Sequence, residues 1–100
     1  MLIYWSEEAL DHIRTRSSRY PGAIDIDPGW TSEAMDDPDA LWYEPDPKTK
    51  SGLGIRIIGY SIGAGFVVTV IAYRRDGRLR GATAFKASGS DLRAYREGTS

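Results

Sequence analysis

The sequence predicts an α+β domain, with an antiparallel sheet under helices in the order β-α-α-β-β-β-β-α. Three observations predict it. The second half carries three strand-like apolar runs, Ile55–Ser61, Phe66–Tyr73 and Leu79–Lys86, separated by the turn signals Gly63-Ala64-Gly65 and Asp76-Gly77, which is the pattern of a strand meander. The first half carries helix starts instead: Ser6 ahead of Glu7-Glu8, and Asp27 ahead of Pro28. The chain has 100 residues, 41% of them apolar, which is enough for one core and too little for two. A two-layer single domain over residues 1–100 follows.

Each element has its own local reason. Leu2-Ile3-Tyr4-Trp5 reads as a short opening strand. Ser6 caps the first helix, Glu7 and Glu8 complement its dipole, and Trp5 and Leu10 have the spacing of a hydrophobic staple. Ala9, Ile13 and His12 make a narrow inward face, Arg14 and Arg16 suit the C-terminal end, and Tyr20-Pro21-Gly22 is expected to stop the helix. Pro28 suits the first position of a second helix, with Trp30, Ala34 and Met35 turned inward and Asp36-Asp37-Pro38 ending it. Residues 40–44 read as an edge strand between Pro38 and Pro45, and residues 45–54 as a polar loop tipped by Lys48 and Lys50. Phe66 through Tyr73 is apolar at nearly every position, which predicts a central strand. Asp76-Gly77 is a two-residue hairpin signal. Ser88 or Ser90 is expected to cap a last helix, with Ser88 and Asp91 at capping-box spacing and Leu92 and Tyr95 as apolar points.

Charge is segregated along the chain. Residues 1–47 hold three arginines against eleven acids, a net of −8, and residues 48–100 hold ten cations against three acids, a net of +7. A basic half built of strands predicts a surface for a polyanion or an acidic partner. The competing expectation is that the two halves lie together and cancel. The chain has no cysteine, which excludes disulfides, cysteine-ligated zinc and thiol catalysis, and fits a reducing compartment. The start lacks a basic leader region, and the longest apolar stretch is too short and too β-branched to cross a membrane, so a cytoplasmic protein without a membrane partner is expected.

Few residues point to chemistry. His12 is the one histidine and reads as structural or surface, since a lone histidine makes a poor metal site. Asp36, Asp37 and Asp39 lack calcium-loop spacing and read as a solvated turn. The glycine-rich stretch 59–65 lies between two strands, so it reads as a hairpin turn rather than a phosphate loop. The basic residues are the remaining signal. Arg78 and Arg80 share one face of their strand, with Thr83 on the other face unless a bulge intervenes. Arg74 and Arg75 lie near them across the hairpin, Lys48 and Lys50 can fold over the same sheet, and Arg93 and Arg96 sit on the last helix. Interleaved Tyr60, Tyr73, Phe85 and Tyr95 suit RNA, through phosphate contacts and base stacking. Lys, Tyr or Glu can take a proton from a 2′-hydroxyl while arginine stabilises the crowded phosphorane.

In order and spacing, these pieces resemble the BrnT-type toxins of bacterial type II toxin–antitoxin systems, small ribonucleases related in fold to the RelE toxins. The matching residues are Ile3-Tyr4-Trp5-Ser6-Glu7, Glu33 through Pro38, Ile57 through Ser61, Phe66 through Val70, Arg78 through Ala84, and Lys86-Ala87-Ser88 with Asp91, Arg93 and Tyr95. Where the family usually carries arginine, this chain has Phe85, Gly54 and Gly65; Arg56 lies two positions from Gly54 and so on the same sheet face. The resemblance implies a ribonuclease without cofactor or metal, with Arg56, Arg78, Arg80 and Lys86 catalytic and Lys48, Lys50, Arg75 and Tyr60 on the RNA. It also implies a cognate antitoxin with a DNA-binding domain, so that DNA is met only through that partner. Two other expectations stand beside it: a fold relative that has lost catalysis and binds a protein, motivated by Phe85 and the missing arginines, and a bare structural domain whose charges pair internally.

Overall fold

The computed structural model describes residues 2–99. It is an α+β domain: an open four-stranded antiparallel sheet in the order β1-β2-β3-β4, with three α-helices packed on it. Helix α1 spans Glu7–Arg14, α2 Pro28–Asp36 and α3 Gly89–Thr99; the strands are β1 Leu41–Tyr43, β2 Gly54–Ser61, β3 Phe66–Arg75 and β4 Arg78–Lys86.

The caps of α1 and α2 form where the sequence places them, whereas Asp91, read as the partner of a Ser88 capping box, accepts from Arg56, Thr69 and Lys48 instead. The Ser6 hydroxyl accepts from the Ala9 N–H at 3.1 Å, and the Asp27 carboxylate accepts from the Gly29 N–H at 2.8 Å with Pro28 leading α2. At the β3–β4 hairpin Asp76 and Gly77 take φ of 53° and 73°, the left-handed pair a tight primed turn requires. β1 is an edge strand and β3 is interior, as expected. Gly65, where the resembled family has arginine, sits at φ 77°, so the glycine answers a backbone need of the β2–β3 turn.

The core lies between α1, α2 and one face of the sheet. Ile13 and Ile26 meet Ile55 and Ile57 of β2, Val68 and Val70 of β3, and Ala84 of β4, all essentially without solvent exposure. Trp30 packs edge-on against Phe66, ring centroids 5.7 Å apart. Gly59 lets α2 lie directly on β2: a Cβ there would stand 2.0 Å from the Ala34 carbonyl oxygen.

Four further features differ from the sequence-based expectation. The opening segment is not a strand of the sheet; it makes one parallel bridge, Tyr4 to Arg80, with the Tyr4 N–H donating to Leu79 and the Gly81 N–H donating to Tyr4. Ser6 starts a helix too soon after it for a longer ladder to form. Helix α1 ends at Arg14, and a separate 3₁₀ turn, Arg16–Ser18, precedes Tyr20. The helices do not share one face: Gly59 and Ser61 face α2, whereas Arg56 and Thr69, of opposite parity, bond Asp91 of α3. Finally, a bulge falls between Ile71 and Ala72 in their pairing with β4. It puts Thr83 opposite Ile71 and Arg80 opposite Tyr73, so Thr83 shares a face with Arg80.

Candidate nucleic-acid interface

Helix α3 packs on β2, with Gly98 against the Leu41 side chain and Asp91 on the Thr69 hydroxyl of β3, and beyond it the face along Tyr73 and β4 is open, its side chains only half-buried. Register defines what that open face presents. Tyr73 pairs with Arg80, which bridges to Tyr4; Ile71 pairs with Thr83; Thr69 pairs with Phe85. Tyr73, Arg80, Thr83 and Phe85 are half-buried, and Tyr4 is exposed.

Two arginines stack on rings here. The Arg80 guanidinium carbon lies 5.1 Å from the Tyr4 ring centre, and its Nε is buried without a hydrogen-bond partner. Arg16 reaches around the β4 edge: its guanidinium carbon is 5.4 Å from the Phe85 ring and 5.0 Å from Tyr20, and it donates to the Thr83 hydroxyl at 3.3 Å. Among the described residues, neither arginine has a carboxylate within ion-pair distance. Two shallow grooves border the strip. One, about 430 Å³, is lined by His12, Tyr73, Gly81 and Ala82; the other, about 460 Å³, by Arg16, Ile24, Phe85, Lys86 and Ser88. Burial, together with the charges of Arg19 and Arg16, holds the His12 imidazole below its usual value, so it is neutral at pH 7.

The expected site residues do not converge on one centre. Arg56 is 8% exposed and is fully engaged, its Nε donating to Asp46 at 2.9 Å and its Nη1 to Asp91 at 2.7 Å. That placement gives Arg56 a structural role in this conformation rather than the catalytic one the resemblance implies. Lys48 does fold over the sheet, but onto Ser90 and Asp91, at 2.8 and 3.3 Å. Arg75, Arg78 and Arg80 gather at the hairpin end of the open face. Lys86 lies eight positions from Arg78, roughly 25 Å at about 3.3 Å per residue. It also points to the other face, over the Phe66 ring at 5.1 Å. Tyr60, 40% exposed, stands at the far end of β2, its N–H held by Asp37, and Lys50 is exposed on its loop. Of the interleaved aromatics, Tyr95 is spent on Asp37, donating at 2.6 Å.

The sequence places Arg16 at a helix end and His12 on a helix face, and only the 3₁₀ turn after α1 brings Arg16 to β4. Their spacing of four was the one available signal. The described residues hold no cluster of three or more His, Asp or Glu placed to bind a metal ion, and no helix among them is long and apolar enough to cross a membrane.

Asp37 and Tyr95 make a titrating pair. Burial pushes the Asp37 carboxyl up, but bonds from Tyr95, Tyr60 and Asp39 outweigh it and leave the group below the usual carboxylate range. Burial and the Asp37 carboxylate push the Tyr95 hydroxyl far up. A lowered carboxyl contributes stability present above the unfolded value of about 3.9, and loses it as pH falls through the folded value. A raised tyrosine contributes stability present below about 10, lost as pH climbs through its folded value. Tyr95→Phe is therefore expected to flatten the fall in Tm between about pH 4 and pH 2.5, because Asp37 moves back toward its unfolded value. An unchanged acid limb would show that Tyr95 does not hold Asp37.

Comparison with protein-family models, with curated proteins and with solved structures finds no match to this chain.

Proposed function

We propose that this chain is a toxin of the type II toxin–antitoxin class, which engages single-stranded RNA along the open β3–β4 face and cleaves it without a cofactor. The observation that carries the reading is the pair of ring-stacked arginines, Arg16 and Arg80, which have no carboxylate partner among the described residues and lie beside Tyr4, Tyr73 and Phe85. Exposed Tyr4 and half-buried Tyr73 and Phe85 offer bases a stacking platform, and guanidinium groups without a carboxylate partner among the described residues give phosphates their contacts. Arg75 and Arg78 extend the same surface at the hairpin.

In this reading the 2′-oxygen attacks the adjacent phosphorus, the bond to the 5′-oxygen breaks, and that oxygen takes a proton from solvent. Neutral His12, in the groove with Tyr73, accepts the 2′-hydroxyl proton. Arg80 and Arg78 stabilise the phosphorane charge. A cognate antitoxin would neutralise the toxin by covering this strip with an acidic segment, while its DNA-binding domain remains outside.

Induced expression of the chain in a bacterial host, with growth and RNA integrity followed together, tests the proposal. The expected result is growth arrest with RNA fragmentation, relieved by Arg78→Ala with Arg80→Ala. In vitro, the double variant is expected to bind single-stranded RNA at least roughly tenfold more weakly, with a salt dependence reduced by about one unit per lost phosphate contact. Normal growth with intact RNA and folded protein would instead favour a protein-binding domain that has lost catalysis. The engagement of Arg56 by two carboxylates favours that second reading.

A further inference from the structure

The side chain of Asp91 is only 8% exposed, and Asp91 is the one fully buried residue among positions 89–98 of α3. Leu92, Ala94 and Tyr95 are only half-buried, so the helix is centred on a carboxylate rather than on an apolar side chain. Three donors from the body of the domain converge on it: Arg56 Nη1 at 2.7 Å, the Thr69 hydroxyl at 3.0 Å and the Lys48 ammonium at 3.3 Å. A guanidinium, a hydroxyl and an ammonium around one oxyanion are also the donor set that recognises a phosphate. Well-packed apolar residues are often as stabilising as a buried ion pair, so stability alone is a weak reason for this arrangement.

We infer that Arg56, Thr69 and Lys48 form a phosphate-binding site that the Asp91 carboxylate holds shut. With α3 docked, Arg56 and Lys48 are balanced by Asp46 and Asp91. With Asp91 withdrawn, the pocket keeps one net positive charge beside Thr69 and is open to an anion. Elsewhere the helix is held by the Lys48 ammonium on Ser90, the Tyr95 hydroxyl on Asp37, and Gly98 against Leu41. The ligand chemistry is a phosphate oxyanion, free or within an RNA backbone. This deepens the RNA reading but does not depend on the Arg16–Arg80 strip, because inorganic phosphate alone probes it.

The test compares the unaltered chain with Asp91→Asn, which keeps the side-chain shape and removes the competing charge. Inorganic phosphate is titrated against chloride at matched ionic strength, following the Arg56 side-chain NMR signal and Tm. The expected result is at least roughly tenfold tighter phosphate binding by Asp91→Asn, since the closed state no longer competes. Lys48→Ala in the Asp91→Asn background is expected to reverse most of that gain; Lys48 is half-exposed, so the fold tolerates the change. Equal phosphate response in both chains, or a gain that leaves the Arg56 signal unmoved, would overturn the inference. A short single-stranded oligoribonucleotide then separates the sources: competition with phosphate at the Arg56 signal assigns the site to RNA, and binding of phosphate alone assigns it to a free anion. If Asp91→Asn does not fold, hydrogen exchange of α3 amides in the unaltered chain takes its place. Faster exchange in phosphate than in chloride supports the site, and identical exchange overturns it.

Discussion

Replacing Arg56 with alanine is expected to lower Tm by roughly 15–25 °C at pH 7. The reason is what the substitution leaves behind. Asp46 is 4% exposed and the Asp91 side chain 8%, and both carboxylates lose the guanidinium that lies between them. Breaking a buried ion pair from one side costs about 3–5 kcal/mol. One kcal/mol moves Tm by about 4–8 °C in a domain of this size. The deficit should also shrink with acid. In the unaltered chain burial raises the Asp46 carboxyl, but Arg56 and the Lys48 N–H outweigh it and hold it below the usual range, so its contribution is lost as pH falls below about 3.9. In the variant Asp46 loses the guanidinium that holds its carboxyl down, so the two melting curves should converge only as pH falls below about 3.9. A variant melting within roughly 5 °C of the unaltered chain at pH 7 would show that water satisfies the carboxylates and that the network is not structural.

Gly59→Ala is the second large effect, and its cause is steric. The added Cβ would stand 2.0 Å from the Ala34 carbonyl oxygen and 2.8 Å from its carbon. Those atoms are helix backbone and cannot rotate away, so α2 must lift from β2. Overpacking a filled core costs about 1–3 kcal/mol, and contact with rigid backbone belongs at the top of that range or above it. A fall in Tm of at least roughly 12 °C is expected by thermal melting. Gly81 is the informative contrast: its Cβ would meet the Trp5 ring at 2.4 Å, a side chain that can shift. Gly81→Ala should therefore recover in part when Trp5 is shortened to leucine, whereas no single side-chain change should rescue Gly59→Ala. Equal and mild losses at both glycines would mean that α2 is free to move on the sheet.

Much of the architecture was legible in the sequence because it is locally encoded. Ser6 and Asp27 cap helices with their own side-chain oxygens, Asp76-Gly77 supplies the positive φ of a hairpin, and the apolar run from Phe66 marks an interior strand. Each of these signals acts over two to four residues. The pairing of the acidic half with the basic half was legible only as an alternative. The structure shows it at Arg74–Glu44 and Arg56–Asp46, while Arg16 and Arg80 stay without a carboxylate partner among the described residues.

Fold class, the order of the three helices and the four sheet strands, and the sheet edge at β1 are all written locally in the chain, although the opening strand that the sequence also suggests is reduced to the single Tyr4–Arg80 bridge. Which charges are available for chemistry depends instead on long-range packing. A single bulge turned Thr83 onto the face of Arg80, and the placement of α3 opposite α1 and α2 enclosed Arg56 between Asp46 and Asp91. The 3₁₀ turn after α1 carried Arg16 across the β4 edge to Phe85. Caps and turns depend on near neighbours in the chain. The state of an arginine depends on carboxylates ten and thirty-five residues away, and no local pattern encodes that distance.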